Sequence, residues 1–252
     1  MRRLLALGAL LLTAQAKPVL VPDVSQRTVR IVYSFTGADL LLFGAILYPG
    51  GRLPGTAKPV DIVVVVKGPT QSVLVREKER VAGIWVNADS LRYRSAPSFY
   101  AIASSRPIAE IVDERTRAIY ELGLDSLQLS PASSAPSEQQ ERFQRGLVEL
   151  KRRAGLYHAG PGAVEITGGV LYRARVTIPA RVPVGRFTAE TFLIRDGRVL
   201  AAATTRVDIQ KAGFERFVAR AADRNAVAYG LTAVALSVAL GWAAGSVARR
   251  VT

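Results

Sequence analysis

The sequence predicts a mainly β protein: two immunoglobulin-like antiparallel β-sandwich domains with short helices, followed by one C-terminal transmembrane helix. Three observations predict it. Short stretches with a period of two, broken by Gly/Pro clusters, recur along the chain, and the strongest is the β-branched run VDIVVVVK at 60–67. Asp196-Gly197 sits between two such stretches, the residue pair that a two-residue type I′ hairpin favours. Finally, 226–248 (AVAYGLTAVALSVALGWAAGSVA) carries no charge and is closed by Arg249 and Arg250. About 20 apolar residues suffice to cross a bilayer as a helix.

Composition narrows the function. With 34 Lys+Arg against 20 Asp+Glu in 252 residues the chain carries +14. The basic residues are scattered rather than gathered into one run, so a lipid surface, an acidic partner or a small anion is expected and nucleic acid is not. The absence of cysteine excludes disulfides, thiolate chemistry and cysteine-bound metals.

The elements follow in order. Met1-Arg2-Arg3, the apolar run 4–13 and Ala14-Gln15-Ala16 form the three parts of a secretory signal, expected to be removed after Ala16. The first β-domain is expected over 17–129. In it Val29, Ile31, Tyr33 and Phe35 alternate with Arg30, Val32 and Ser34, 40–48 suits an inner strand, and 72–76, 81–87 and 99–103 add shorter strands. The charged stretch 76–80 reads as the turn between two of these. Pro107 opens a helical pattern through Leu122, and 130–137 (SPASSAPS) reads as a linker.

The second domain is expected over 138–210. Ser137 with Gln140 suggests a capping box for a helix with Phe143, Leu147, Leu150 and Ala154 on one face, and strands resume at 163–167, 170–178, 186–195 and 198–209. Residues 211–225 read as an amphipathic juxtamembrane helix whose Arg216, Arg220 and Arg224 lie near lipid phosphates. In the run 226–248, Ala233, Ser237, Gly241 and Gly245 fall every four residues, a packing face for a second helix. The positive-inside rule leaves 249–252 as a cytoplasmic tail.

Several stretches together resemble a known family: SFTGADLLLFGA at 34–45, KERV at 78–81 with GIWVN at 83–87, PSFY at 97–100, GLY at 155–157, and GFE at 213–215 before Tyr229-Gly230. They are similar to an alphaproteobacterial family of transmembrane proteins to which no activity is assigned. The resemblance runs through nearly all of the chain after residue 16. It implies a signal peptide, a β-rich periplasmic region and a single C-terminal transmembrane helix, and it supplies no catalytic residues. Carriers of the sulfite-exporter type are the neighbours it suggests.

No chemistry stands out. His158 is the sole histidine, in a stretch read as a solvated loop, so neither a triad nor a histidine metal site has its parts. No cofactor, metal or catalytic residue is expected. Lys67, Arg76, Lys78 and Arg80 could gather an anion or an acidic partner, although Glu77 and Glu79 are interleaved with them. Trp85 reads as core before it reads as a contact, since it alternates with Ile84 and Val86. The expectation is a non-enzymatic, single-pass inner-membrane protein with a periplasmic ectodomain. Its partner would be an integral membrane protein such as a transporter, or a second copy through the C-terminal helix. The alternative is a periplasmic module for a small anion. An exposed apolar patch would favour the first, a concave pocket with converging basic groups the second.

Overall fold

The computed structural model describes residues 17–32, 37–51, 59–212 and 222–251. The signal-peptide reading of 1–16 and most of the juxtamembrane segment lie outside them. Among the described residues thirteen strands form three sheets. β1 (Val19–Val24), β3 (Ala38–Leu47), β11 (Leu171–Ile178) and β10 (Val164–Thr167) make a four-stranded antiparallel sheet in that order. The second sheet has six strands: β2 (Thr28–Val32), β13 (Arg198–Ala212), β12 (Gly185–Arg195), β4 (Asp61–Lys67), β7 (Tyr100–Ser104) and β9 (Tyr157–Pro161). β5 (Thr70–Val81), β6 (Ile84–Pro97) and the two-residue β8 (Ser130–Pro131) form the third.

This arrangement corrects the two-domain expectation. β4 pairs with β12 from Asp61↔Ile194 to Lys67↔Thr188, and β3 pairs with β11 from Ala38↔Ile178 to Ala45↔Leu171. Strands from before and after 130–137 therefore share both large sheets, and a single sandwich replaces two. Alternation shows that a strand has two faces and is silent about which strand it joins. The sheets are not wholly antiparallel either: β2 runs parallel to β13 and β9 parallel to β7, at the two edges of the six-stranded sheet. The 130–137 stretch is no free linker, because Ser130 and Pro131 pair with β6 and the Ala132 N–H donates to the Arg92 carbonyl at 2.7 Å.

Burial explains the continuous β-branched run. One face of β4 places Ile62, Val64 and Val66 against Leu40, Leu42 and Ile46 of β3 and Val176 and Ile178 of β11, inside the sandwich. The opposite face places Val63 and Val65 beside Tyr100, Ile102 and Phe192, under Ile111, Val112, Leu122 and Leu127. A strand covered on both faces reads as continuous hydrophobicity rather than alternation. Within the four-stranded sheet β1 runs close beside β3 at Gly44, where an added Cβ would lie 2.4 Å from the Val21 carbonyl oxygen.

The helical cover differs in detail from expectation. The pattern from Pro107 to Leu122 breaks into α1 (Ile108–Ile111) and α2 (Glu114–Tyr120), because Asp113 caps the second helix by accepting from the Thr116 N–H at 2.8 Å. α3 (Ser137–Arg153) has Pro136 at its N-cap with no side-chain cap bond, so the Ser137–Gln140 capping box is not formed; the Gln140 amide donates to the Ala135 carbonyl instead. Phe143 and Leu147 of α3 seal a third core with Val75, Leu91, Tyr93 and Ala96 of the β5–β6 hairpin. The Asp196-Gly197 turn forms as expected, with φ of 50° and 75°.

The last correction concerns the C terminus. Residues 226–251 do form a helix, α4 (Ala226–Val251), and its large side chains from Val227 to Trp242 are exposed. Among the described residues, however, no helix is long and apolar enough to cross a membrane. Freedom from charge is a weaker property than apolarity, and alanine, glycine, serine and threonine fill more than half of 226–248.

Candidate functional site

The β5–β6 hairpin is long and exposed over its outer half. Its base is gripped by α3 through Val75, Leu91 and Tyr93, and residues 78–88 beyond that base are all exposed. Arg76–Arg80, read from the sequence as a turn, lies inside β5; the chain reverses at Ala82-Gly83, with φ of 50° and 86°. Alternating charges masked the strand, since solvated strands bury neither face. The register pairs Lys78↔Asn87, Arg80↔Trp85, Glu79↔Val86 and Val81↔Ile84. Directly opposed residues project to the same side, so Lys78, Arg80 and Trp85 share one face and Val81, Ile84 and Val86 share the other. A register shift between Glu77 and Lys78 sets the tip's faces against those of the base.

Trp85 is thus no core residue. It is 65% exposed, and Ile84 is 69% exposed. Its alternation with neighbours was real, but nothing covers either side. The Arg80 Nε donates to the Gly83 carbonyl at 3.3 Å, bracing the turn. Glu77 is drawn back to α3 by Arg142 at 3.0 Å, and Asp89 accepts from Gln139 and Arg142.

Lys67 is apart from this group. It ends β4, and its Nζ lies 2.5 Å from Glu121 Oε2 and 3.4 Å from Glu190 Oε2. These three line a cleft of about 410 Å³ with Tyr120 and Phe192. Two carboxylates around one ammonium make the cleft unsuited to an anion. Tyr100 fixes its floor: the buried hydroxyl donates to the Glu121 carbonyl at 2.6 Å and accepts from the Gly123 N–H at 3.1 Å. Burial pushes that phenol well above its ordinary pKa.

A second surface was missed in the sequence. On the outer face of the four-stranded sheet Val19 stands beside Leu47, Val21 beside Ala45, and Ala45 beside Leu171, with Phe43 in the next row. Val19, Val21, Phe43, Leu47 and Leu171 are all exposed. Further along the same strands the face turns polar, with Arg173 paired to Glu165 at 2.5 Å and the Thr177 hydroxyl donating to Asp39 at 2.8 Å. The signal was present in the alternation at 171–178, but which side meets water is set by the partner sheet.

The other expected residues stay separate. Ala233, Ser237 and Gly241 lie in α4, where the Ser237 hydroxyl donates to the Ala233 carbonyl at 2.9 Å; the surroundings of Gly245 lie outside the described residues. Arg224 is exposed in a helical turn at 222–224, and Arg216 and Arg220 fall outside the described residues. His158 sits in strand β9 rather than a loop. It is half-buried with its ring 5.5 Å from Phe99, edge to face, and burial lowers its pKa. Among the described residues no cluster of His, Asp and Glu could hold a metal ion.

A family model described as "Putative transmembrane protein (Alph_Pro_TM)" matches residues 19–250. The chain belongs to this family. The match spans both large sheets, the hairpin and α4, and the family is the one the sequence resembles. No curated protein matches the sequence. Among solved structures, the sporulation control protein Spo0M from Bacillus subtilis aligns with TM-score 0.31 and 8% identity, covering 83% of this chain and 56% of that one. The N-terminal domain of the Streptococcus gordonii adhesin Sgo0707 aligns with TM-score 0.29 and 7% identity, covering 77% and 32%. A family 123 glycoside hydrolase from Clostridium perfringens gives 0.24 and 9%, covering 77% and 27%. The chain spans about half the length of the first and about a third or less of the other two. Scores at this level fall below a shared fold.

Proposed function

We propose that this member of the family is a non-enzymatic membrane protein whose β-sandwich, on the periplasmic side, docks onto an integral membrane protein such as a transporter. The observation that carries the reading is the apolar stripe of Val19, Val21, Phe43, Leu47 and Leu171 on an outward sheet face. Antiparallel sheets normally face water with polar side chains, and contiguous exposed apolar patches mark interaction sites. The stripe has an apolar centre with Asp23, Arg173 and Arg175 at its rim, which is interface anatomy. Membership in a family described as transmembrane supports an integral membrane protein as the occupant. The small-anion alternative loses its best basic residue, because Lys67 is engaged by Glu121 and Glu190.

Photo-crosslinking in native membranes tests this, with a benzophenone side chain at Val21 or Leu171 and a control at Thr204, exposed on β13. The expected result is one integral membrane protein captured from both sheet positions and not from the control, with capture lost in Leu47→Asp. Capture of a second copy of this chain, equal yields at all three positions, or insensitivity to Leu47→Asp would overturn the proposal.

A further inference from the structure

The hairpin tip is a separate surface, and its chemistry suits lipid rather than protein. We infer that residues 78–87 form an insertion loop that enters the headgroup region of an anionic bilayer end-on. The stalk from the level of Val75 and Leu91 to the turn carries the tip about 20 Å from its base. At its end four large apolar side chains, Val81, Ile84, Trp85 and Val86, are exposed on both faces. Val81, Ile84 and Val86 share one face and Trp85 stands on the other, so apolar surface reaches both sides of the tip. A tip that plunges into an apolar layer is covered on both sides at once.

Charge agrees. Arg76 and Lys78 stand along β5 below the apolar tip and Arg80 lies level with Trp85, while Glu79 is the acidic side chain that remains at the tip, since Glu77 is held by Arg142. Basic residues just behind an apolar tip lie at the level of lipid phosphates while their stems extend along the hydrocarbon boundary. An indole beside them suits the same interface, where its ring is half in and half out of the apolar layer. The tip also falls short of a protein interface. Its apolar side chains expose on the order of a few hundred Å², against about 800 Å² per partner in a stable complex.

The chain has two tryptophans, Trp85 and Trp242, so Trp242→Phe makes Trp85 the sole indole reporter in the full-length protein. We would reconstitute that variant into phosphatidylcholine vesicles with and without about 30% phosphatidylglycerol, which supplies a negative surface potential. Lipids brominated just below the headgroup report insertion by quenching. The expected result is quenching of Trp85 in anionic vesicles, well above that in neutral ones. Each basic residue near an anionic surface contributes roughly five-fold to partitioning, so Lys78→Gln with Arg80→Gln should lower the inserted-to-free ratio roughly 25-fold. Ile84→Ser with Val81→Ser should abolish quenching, and both pairs should leave thermal unfolding unchanged because these side chains touch nothing in the body. Quenching that is absent in anionic vesicles, or unaffected by both pairs, overturns the inference. Trp85 that is open to aqueous acrylamide in pure lipid yet shielded in native membranes also overturns it, in favour of a protein partner.

Discussion

Replacing Tyr100 with phenylalanine removes one oxygen and tests how the six-stranded sheet holds its helical cover. The ring is fully buried in β7, and its hydroxyl ties the strand to the end of α2 by donating to the Glu121 carbonyl and accepting from the Gly123 N–H. Glu121 is in the left-handed conformation, φ 53°, so the turn that ends α2 depends on outside support. Each bond is worth about 1 kcal/mol net, and a stranded buried partner adds a desolvation cost of about 1–3 kcal/mol. The phenyl ring keeps its packing, so no cavity term enters. Two bonds and one stranded partner sum to about 3–5 kcal/mol, a sizeable part of the 5–15 kcal/mol typical of whole domains. Equilibrium urea unfolding should show the midpoint falling with an unchanged slope. The alkaline limb gives an independent check. Burial raises the phenol's pKa in the folded state, so its contribution is complete below the ordinary value of 10.0 and is lost as pH rises above it. Tyr100→Phe should therefore soften the fall in stability above pH 10.0. A loss under about 0.5 kcal/mol, with an unaltered alkaline limb, would show that water replaces the hydroxyl and that Tyr100 does not hold the cap.

Two further outcomes are expected. His158 has its pKa lowered by burial, so the folded state favours the neutral ring; stability should be complete above the ordinary 6.5 and decline as pH falls below it toward the folded value, and the single imidazole resonance should titrate below 6.5. A midpoint at or above 6.5 would refute the packing of that ring beneath Phe99. Second, a fragment ending at residue 129 should lack a cooperative unfolding transition, because β4 loses its partner β12 and β3 loses β11; a sharp transition would restore an independent N-terminal domain.

Much of the strand inventory was legible. The β-branched run, the Asp196-Gly197 turn and the long helical pattern before Gly155 each carry a local signal, and each became β4, the β12–β13 turn and α3. Assembly was not legible. The choice of β12 as neighbour of β4 rests on burial from both sides, which no window of sequence displays. The hairpin failed for the reverse reason: with neither face covered, Arg76, Lys78 and Arg80 can occupy a strand, and their charge imitates a turn. Trp85 and Leu171 were misjudged or missed because alternation separates faces without saying which is wet.

The position of β4 between β7 and β12 also bears on the order of events in synthesis. Its left and right neighbours are about ninety residues apart in the chain, one soon after it and the other only after α3 has been made. Until β12 arrives, a stretch of five consecutive apolar residues, Ile62 to Val66, waits with one hydrogen-bonding edge open. Such segments are the ones that pair with the wrong chain. A polypeptide built this way benefits from being handed across a membrane extended, or held by a chaperone, until its last third is available. The residues that make the centre of the finished sheet secure are the ones most in need of an escort before it closes.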